Sequence, residues 1–259
     1  MSKPSTKIIT LVIPTLNEEK GIQKTIKKIP KKEIEDMGYQ LEILVVDGNS
    51  TDLTRNAAEE CGAKVIVEMN QGYGRALRTG FTAASGEIVI ICDGDGTYPV
   101  ELIPKYAQHL ITNNLDFVSI NRLSNNETGA MRFSHLMGNK ILSGIMNLIY
   151  STNIKDSQSG MYLMKKRFLQ LVNLRSNGYT FAEEIKIIAF SFFASDELEG
   201  KYYARLGETK LQTFRDGLSN LIFLFRFKNF LKRALIQKQN TTRITNVDRF
   251  MQTNNLSIF

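Results

Sequence analysis

The chain has 259 residues, 42% hydrophobic and 23% charged, with 33 Lys+Arg against 26 Asp+Glu and a formal net charge of +7. Those proportions allow a sizeable core and exclude wholesale disorder, and the length suits one large α/β domain or two small ones. Two cysteines, Cys61 and Cys92, exclude a disulfide framework or a thiolate zinc cluster and read as small buried apolar residues of a reducing compartment.

Residues 1–7 carry no signal-peptide h-region and lead into an apolar, β-branched strand over 7–13, which Pro14 is expected to stop. Asn17-Glu18-Glu19 opens a helix to about Ile29. The run 41–46, apolar but for Glu42, predicts a strand buried on both faces. Asp47-Gly48-Asn49-Ser50 is turn chemistry, with Ser50 or Thr51 expected to cap a helix running to Cys61. A third strand over 63–67, a helix over 72–84 and a fourth strand over 88–92 follow, with Asp93-Gly94-Asp95-Gly96 at that strand's end.

Later elements are a helix over 99–112, a strand over 117–120, a polar loop over 121–131 and a helix over 132–150. A loop entering a strand over 156–164, a helix over 181–194, a short strand over 198–203 and a helix over 217–239 complete the pattern. Strand–helix alternation predicts a mostly parallel, Rossmann-like sheet flanked by helices, with ligands beyond the carboxyl ends of its strands.

The charge is unevenly placed. Residues 201–259 hold 11 Lys/Arg and 3 Asp/Glu, a local surplus of +8, so the body before them is near neutral. In 217–239 the run Leu221-Ile222-Phe223-Leu224-Phe225 meets Arg226, Lys228, Lys232 and Arg233, the mixture of an interfacial helix. Each such cation near an anionic leaflet contributes about 1 kcal/mol. The other reading of that helix is core packing or contact within a homo-oligomer. No stretch reaches the roughly 18 apolar residues of a membrane span. The longest uncharged run, 141–154, reads as a core or interfacial helix.

Carboxylates cluster where a parallel sheet would present a ligand crevice. Asp93 and Asp95, one glycine apart, can bring both oxygens onto one Mg2+ or Mn2+ that leaves positions open for diphosphate. Asp-x-Asp alone equally suits a solvated turn; its place after a buried strand and before Tyr98-Pro99 favours the metal. Other chemistries lack support. Gly72-Tyr73-Gly74-Arg75-Ala76-Leu77 lacks the third glycine of a dinucleotide fingerprint, and neither a phosphate-cradling P-loop nor a Gly-x-Ser-x-Gly elbow occurs. His109 reads as solvated and His135 as structural.

Six segments in this order resemble the family 2 glycosyltransferases of GT-A fold, and among them the dolichyl-phosphate mannose or glucose synthases. They are Ile13-Pro14-Thr15-Leu16-Asn17-Glu18, Val45-Val46-Asp47-Gly48-Asn49-Ser50-Thr51-Asp52, Asn70-Gln71-Gly72-Tyr73-Gly74-Arg75-Ala76-Leu77, Asp93-Gly94-Asp95, Asp156-Ser157-Gln158-Ser159-Gly160 and Arg205-Leu206-Gly207-Glu208-Thr209-Lys210. The resemblance implies a glycosyltransferase domain over 1–215 followed by a basic amphipathic helix and tail over 216–259. It implies that Pro14, Leu16 and Glu18 hold base and ribose, that Val45 and Asp47 face the base, and that Gly94 lies beside ribose and diphosphate. Asp93 and Asp95 are the implied metal ligands, with Arg122, closing a strand over 117–122, and Lys210 as catalytic cations near the phosphates. Arg132, Asp156, Ser159 and Arg205 are implied on the acceptor side. Metal and cations would stabilise the nucleotide diphosphate as it leaves.

The chain departs from the family where Thr97 stands in place of a common Gln, where Gly160-Met161-Tyr162 replaces Gly-Phe-Arg, and where some relatives carry C-terminal membrane spans. The activity so implied is inverting transfer of a hexose from a nucleotide-diphosphate sugar to a polyprenyl phosphate by an enzyme peripheral at the cytoplasmic membrane face. A lipid monophosphate, second pKa about 6, is largely dianionic at neutral pH and needs cationic guidance more than a base. If a base is required, Glu183, Glu184 and Asp156 are the candidates. Competing readings are transfer to a soluble or polysaccharide acceptor, and a nucleic-acid-binding module using the basic tail. The neutral body and missing nucleic-acid motifs count against the latter.

Overall fold

The computed structural model describes residues 6–124, 130–207 and 213–239. Strands β1 (Lys7–Thr15), β2 (Tyr39–Asp47), β3 (Lys64–Val67), β4 (Ile88–Ile91), β5 (Phe117–Asn121), β6 (Tyr162–Lys165) and β7 (Ser195–Glu199) form one sheet in the order β3-β2-β1-β4-β6-β5-β7. Pairing is parallel from β3 to β4, as expected. β6 is antiparallel to both neighbours, and β5 and β7 are parallel.

Side chains alternate between two cores, as the two-residue strand period requires. Ile9, Leu11, Ile13, Val45, Ile88 and Ile90 face one side, covered by α1 (Glu19–Lys27), α2 (Lys31–Asp36), α3 (Thr54–Glu60) and, after a 3-10 turn at Val100–Leu102, α5 (Ile103–Thr112). Val12, Leu44, Val46, Val89 and Ile91 face the other, beneath α4 (Tyr73–Ala83), α6 (Phe133–Tyr150), α7 (Lys166–Leu171), α8 (Phe181–Phe192) and α9 (Thr213–Gln239). α9 packs on α6 and α8 and buries Leu224, Phe227 and Leu231, while Leu218, Ile222 and Phe225 stay exposed. No helix among the described residues is long and apolar enough to cross a membrane.

Several expectations need correction. Pro14 does not stop β1, which runs on to Thr15. Thr15 O accepts from Gly48 N on the β2 side, so Pro14 faces the β4 side, where pairing has already ended at Val12 and the missing N–H costs no ladder bond. The helix expected after Ser50 is α3, which starts only at Thr54, because the Ser50 hydroxyl is taken by Asp47 instead of a helix end. β5 ends at Asn121, just before Arg122. The last strand lies at Ser195–Glu199 rather than 198–203, a polar edge strand whose charges mask its alternation. His109 pairs with Asp196 at 2.8 Å.

Candidate active site

The chain builds β1, β2 and β3 outward on one side, then crosses to β4 on the other side of β1, so the strand order reverses between β1 and β4. The carboxyl ends at such a reversal are where open α/β sheets take their ligands. β6, being antiparallel, starts at that same edge: Tyr162 lies opposite Ile91, and the loop 156–161 arrives beside the ends of β4 and β5. After β7 the chain turns back across the edge, with Tyr203 N donating to Thr97 O and Leu206 N to Asp95 O at 3.0 Å.

On the donor side, the Asp47 carboxylate is fully buried. It accepts from Ser50 N at 2.8 Å and from the Ser50 hydroxyl at 2.5 Å, with Thr15 Oγ1 at 3.3 Å. Its oxygens thus shape the turn that follows β2; Val45 is buried beneath, and Leu16 is exposed on the neighbouring loop. Asn17, at φ +50°, accepts from Thr51 N, and Ser50 Oγ accepts from Asn17 N, so the ends of β1 and β2 are laced together. α1 starts hard against the acidic turn: a Cβ on Gly21 would lie 2.5 Å from Gly94 O and 2.7 Å from Asp95 Cα.

Asp95 is buried and committed. Oδ1 accepts from Thr97 N at 3.0 Å and Thr97 Oγ1 at 2.6 Å, and Oδ2 pairs with Arg205 Nη1 at 2.6 Å. Arg205 also pairs with Glu18 Oε1 at 2.5 Å, closing the crevice with one guanidinium between two carboxylates. Asp93 differs. It accepts no hydrogen bond from the described residues, and a Cβ on Gly160 would crowd it at 3.0 Å from Oδ2. Burial, then the charge of Asp95, push its carboxyl up to about 7, against the pull of Arg122 and Arg205. Among the described residues no three His, Cys, Asp or Glu side chains gather as metal ligands. Two carboxylates on one turn, one lacking any donor, fit a hard divalent cation that takes its remaining ligands from phosphate and water.

On the acceptor side, Arg122 and Asp156 form a buried bidentate pair, Nε–Oδ2 at 2.7 Å and Nη2–Oδ1 at 3.0 Å, with Arg122 N also donating to Oδ2. Burial would raise the Asp156 carboxyl, but Arg122 holds it below the usual range. The guanidinium lies over the Tyr98 and Tyr202 rings, and its Nη1 has no acceptor among the described residues. Glu197 accepts from the amides of Lys155 and Asp156. Lys186 Nζ, fully buried, donates to the carbonyls of Asp156, Ser157 and Ser159 at 3.2, 3.0 and 2.6 Å. Gly160 N donates to Tyr98 Oη.

The structure therefore brings Pro14, Glu18, Asp93, Gly94, Asp95, Arg122, Asp156 and Arg205 to one edge. The Ser159 hydroxyl is buried and turned on Met161 of its own loop, and Arg132 sits exposed at the start of α6. Lys210 lies outside the described residues. Of the candidate bases, Glu184 accepts from Arg175 N and Ser176 N, Asp156 is held by Arg122, and Glu183 is fully buried. Sequence reasoning missed Thr97 as the group orienting Asp95, and missed Lys186 and Glu197 entirely. A lone lysine in the apolar run of α8 was the available signal for Lys186.

The sequence model described as glycosyl transferase family 2 matches residues 10–172. The chain is 33% identical over 83% of its length to the low-salt glycan biosynthesis hexosyltransferase Agl6 of Haloferax volcanii, and spans about half of that relative, 52%. It is 30% identical to the dolichyl-phosphate hexose transferase of the same organism, covering 81% of this chain and 89% of the relative. In three dimensions it resembles Mycobacterium tuberculosis glucosyl-3-phosphoglycerate synthase solved with Mn2+, uridine diphosphate and phosphoglyceric acid. The TM-score is 0.63 at 21% identity, covering 84% of this chain and 78% of the other.

Proposed function

This chain belongs to glycosyl transferase family 2, and we propose that it transfers a hexose from a nucleotide-diphosphate sugar to a polyprenyl (dolichyl-type) phosphate. The site proposed is the cytoplasmic face of a membrane, with Mg2+ or Mn2+ held by Asp93 and Asp95. The observation that carries the acceptor is the state of the three candidate bases: Glu184 and Asp156 are spent on amides and Arg122, and Glu183 is sealed from solvent. A sugar hydroxyl would need one of them, whereas a phosphate dianion arrives already deprotonated. The name of the Haloferax volcanii dolichyl-phosphate hexose transferase points the same way.

When bound, the metal would supply Lewis-acid stabilisation to the leaving diphosphate. Arg122, fixed by Asp156 and two rings, offers Nη1 to a phosphate oxygen without reorganising, which is how a preorganised cation lowers a barrier. Arg205 can exchange its carboxylate partners for donor phosphate. Leu218, Ile222 and Phe225 on the outer face of α9, beside Arg226, supply the apolar and basic surface that would lie on lipid.

Purified protein incubated with GDP-mannose, UDP-glucose or UDP-GlcNAc, with polyprenyl phosphate or phosphoglyceric acid, and with or without EDTA, tests the reading. Glycolipid is expected from one donor, abolished by EDTA and lowered about 10²- to 10³-fold in Asp93→Asn. Transfer that ignores EDTA retires the metal, and product on phosphoglyceric acid alone retires the lipid.

A further inference from the structure

The buried face of α9 is apolar at every described position but one. Leu224, Phe227 and Leu231 follow one another at helical spacing onto α6 and α8, and the stripe begins one turn earlier with Asn220, only 5% exposed. An amide there breaks the pattern, and its Oδ1 has no hydrogen-bond partner among the described residues. Its Nδ2 donates at 2.7 Å to Oε1 of Gln158, which stands in the loop Asp156-Ser157-Gln158-Ser159-Gly160. Gln158 spends its other end on α8, Nε2 donating at 2.6 Å to Oε1 of Glu183, whose Oε2 is likewise unpartnered among those residues.

Two helices thus each place a buried polar side chain with an unsatisfied oxygen against one glutamine. An unsatisfied buried oxygen is a standing cost, and an apolar residue at either position would remove it at the loss of one bond to Gln158. Such a local violation is tolerated where it serves a site. What it serves is legible from the loop. Lys186 holds the loop's carbonyls from below and Glu197 its leading amides, but those bonds grip the backbone from within the sheet domain. Asn220 is the contribution of α9, and the loop it reaches carries the counter-ion of Arg122 and, at Gly160, the wall against Asp93.

We propose that Asn220 is a positioning residue for acceptor binding: through Gln158 it ties the seat of α9 to the loop 156–160. The proposal rests on the reading that this loop borders the acceptor phosphate. Residues 218, 222 and 225, the exposed apolar stripe of the same helix, lie about 140–160° around it from 220, given 100° per residue. A surface that takes up the outer stripe therefore bears on the helix whose inner face fixes the loop.

The test is Asn220→Leu, with Gln158→Ala and the double variant to close a cycle. Asn220→Leu removes a buried unsatisfied oxygen but leaves Gln158 Oε1 without its donor, so the two effects offset and the melting temperature is expected to stay close to that of the parent. Its KM for a short-chain polyprenyl phosphate in detergent is expected to rise roughly 3- to 10-fold, while the Kd for Mn2+ with UDP or GDP stays within twofold. The two substitutions should be non-additive, the double variant losing no more than either single. Amide hydrogen exchange across 156–161 should quicken in Asn220→Leu in the absence of any substrate. Unchanged exchange and acceptor KM overturn the proposal. So does a parallel loss of melting temperature and nucleotide affinity, which would make Asn220 a general packing residue. A parent protein without activity on polyprenyl phosphate sinks the acceptor reading, while the exchange measurement still decides the link between α9 and the loop.

Discussion

The two sides of the crevice are built differently. On the donor side the groups that matter lie on short segments at the ends of parallel strands, and each is oriented by a near neighbour, Asp47 by Ser50 and Asp95 by Thr97, with the partly exposed Arg205 as a distant partner of Asp95. On the acceptor side the pairs join residues far apart in sequence: Arg122 with Asp156, Lys186 with the 156–159 carbonyls, Asn220 with Gln158. Local turns can set a carboxylate at a strand end with little help from the core. A cation beside an antiparallel strand needs a buried counter-ion brought in by tertiary folding. The donor side should therefore tolerate substitution with loss of function alone, and the acceptor side should lose stability.

The strongest test of that contrast is Asp156→Ala. It leaves the Arg122 guanidinium, 10% exposed, without its counter-ion in the interior. Removing one partner of such a pair costs about 3–5 kcal/mol, more than exposed pairs contribute. Urea unfolding is expected to show that loss for Asp156→Ala and under about 1 kcal/mol for Asp93→Asn, which breaks no hydrogen bond among the described residues. Equal losses would erase the distinction between the two sides.

The same difference explains what the sequence could disclose. Asp47-Gly48-Asn49-Ser50 and Asp93-Gly94-Asp95 are contiguous and follow apolar runs, so their carboxylates could be placed on strand ends from spacing, while the donor-side role of Ile13-Pro14-Thr15-Leu16-Asn17-Glu18 came from the family resemblance. Alternation of strand and helix announced a parallel sheet. It could not announce that β6 is inserted antiparallel between β4 and β5, because four residues, Tyr162–Lys165, carry no mark of direction. That reversal is what delivers the loop 156–161 to the site. Lys186 and Asn220 looked like polar interruptions of apolar helices, since their partners are backbone carbonyls and an amide 27 to 62 positions away. Glu183 could be nominated as a base, but its burial depends on α9 and the loop closing over it.

Glu183 offers the next test, because it asks whether the acceptor side is dry. Burial pushes its carboxyl up to about 8 from 4.5, against the Gln158 hydrogen bond and the charge of Lys186. The folded protein keeps the proton that the unfolded chain releases near 4.5, so the parent loses stability as pH rises through the window from 4.5 to about 8. Glu183→Gln removes the titration while its amide oxygen still accepts from Gln158. The variant's advantage over the parent should grow by about 2–3 kcal/mol between about pH 5.5 and 7.5. An advantage that does not vary with pH would mean that water reaches Glu183, and would make the acceptor side as open as the donor side.

The smallest effect, on the donor side, separates a permanent pair from an exchangeable one. Arg205 is 24% exposed and bridges Asp95 and Glu18, so a cation arriving at Asp95 must displace a guanidinium already there. Its neighbours Leu206 and Tyr203 are tied to the acidic turn by backbone bonds, which keeps the guanidinium nearby after displacement and within reach of a diphosphate. Arg205→Gln removes the competitor. Without nucleotide, Mn2+ followed by electron paramagnetic resonance should bind roughly 2- to 5-fold more tightly to the variant, the scale of a partly exposed ion pair. With UDP or GDP present the order should invert, because the parent's arginine then faces phosphate rather than opposing the metal. Arg122 should show no such inversion: its carboxylate partner is sealed in the interior, and a cation held that way can orient a substrate but cannot change places with one.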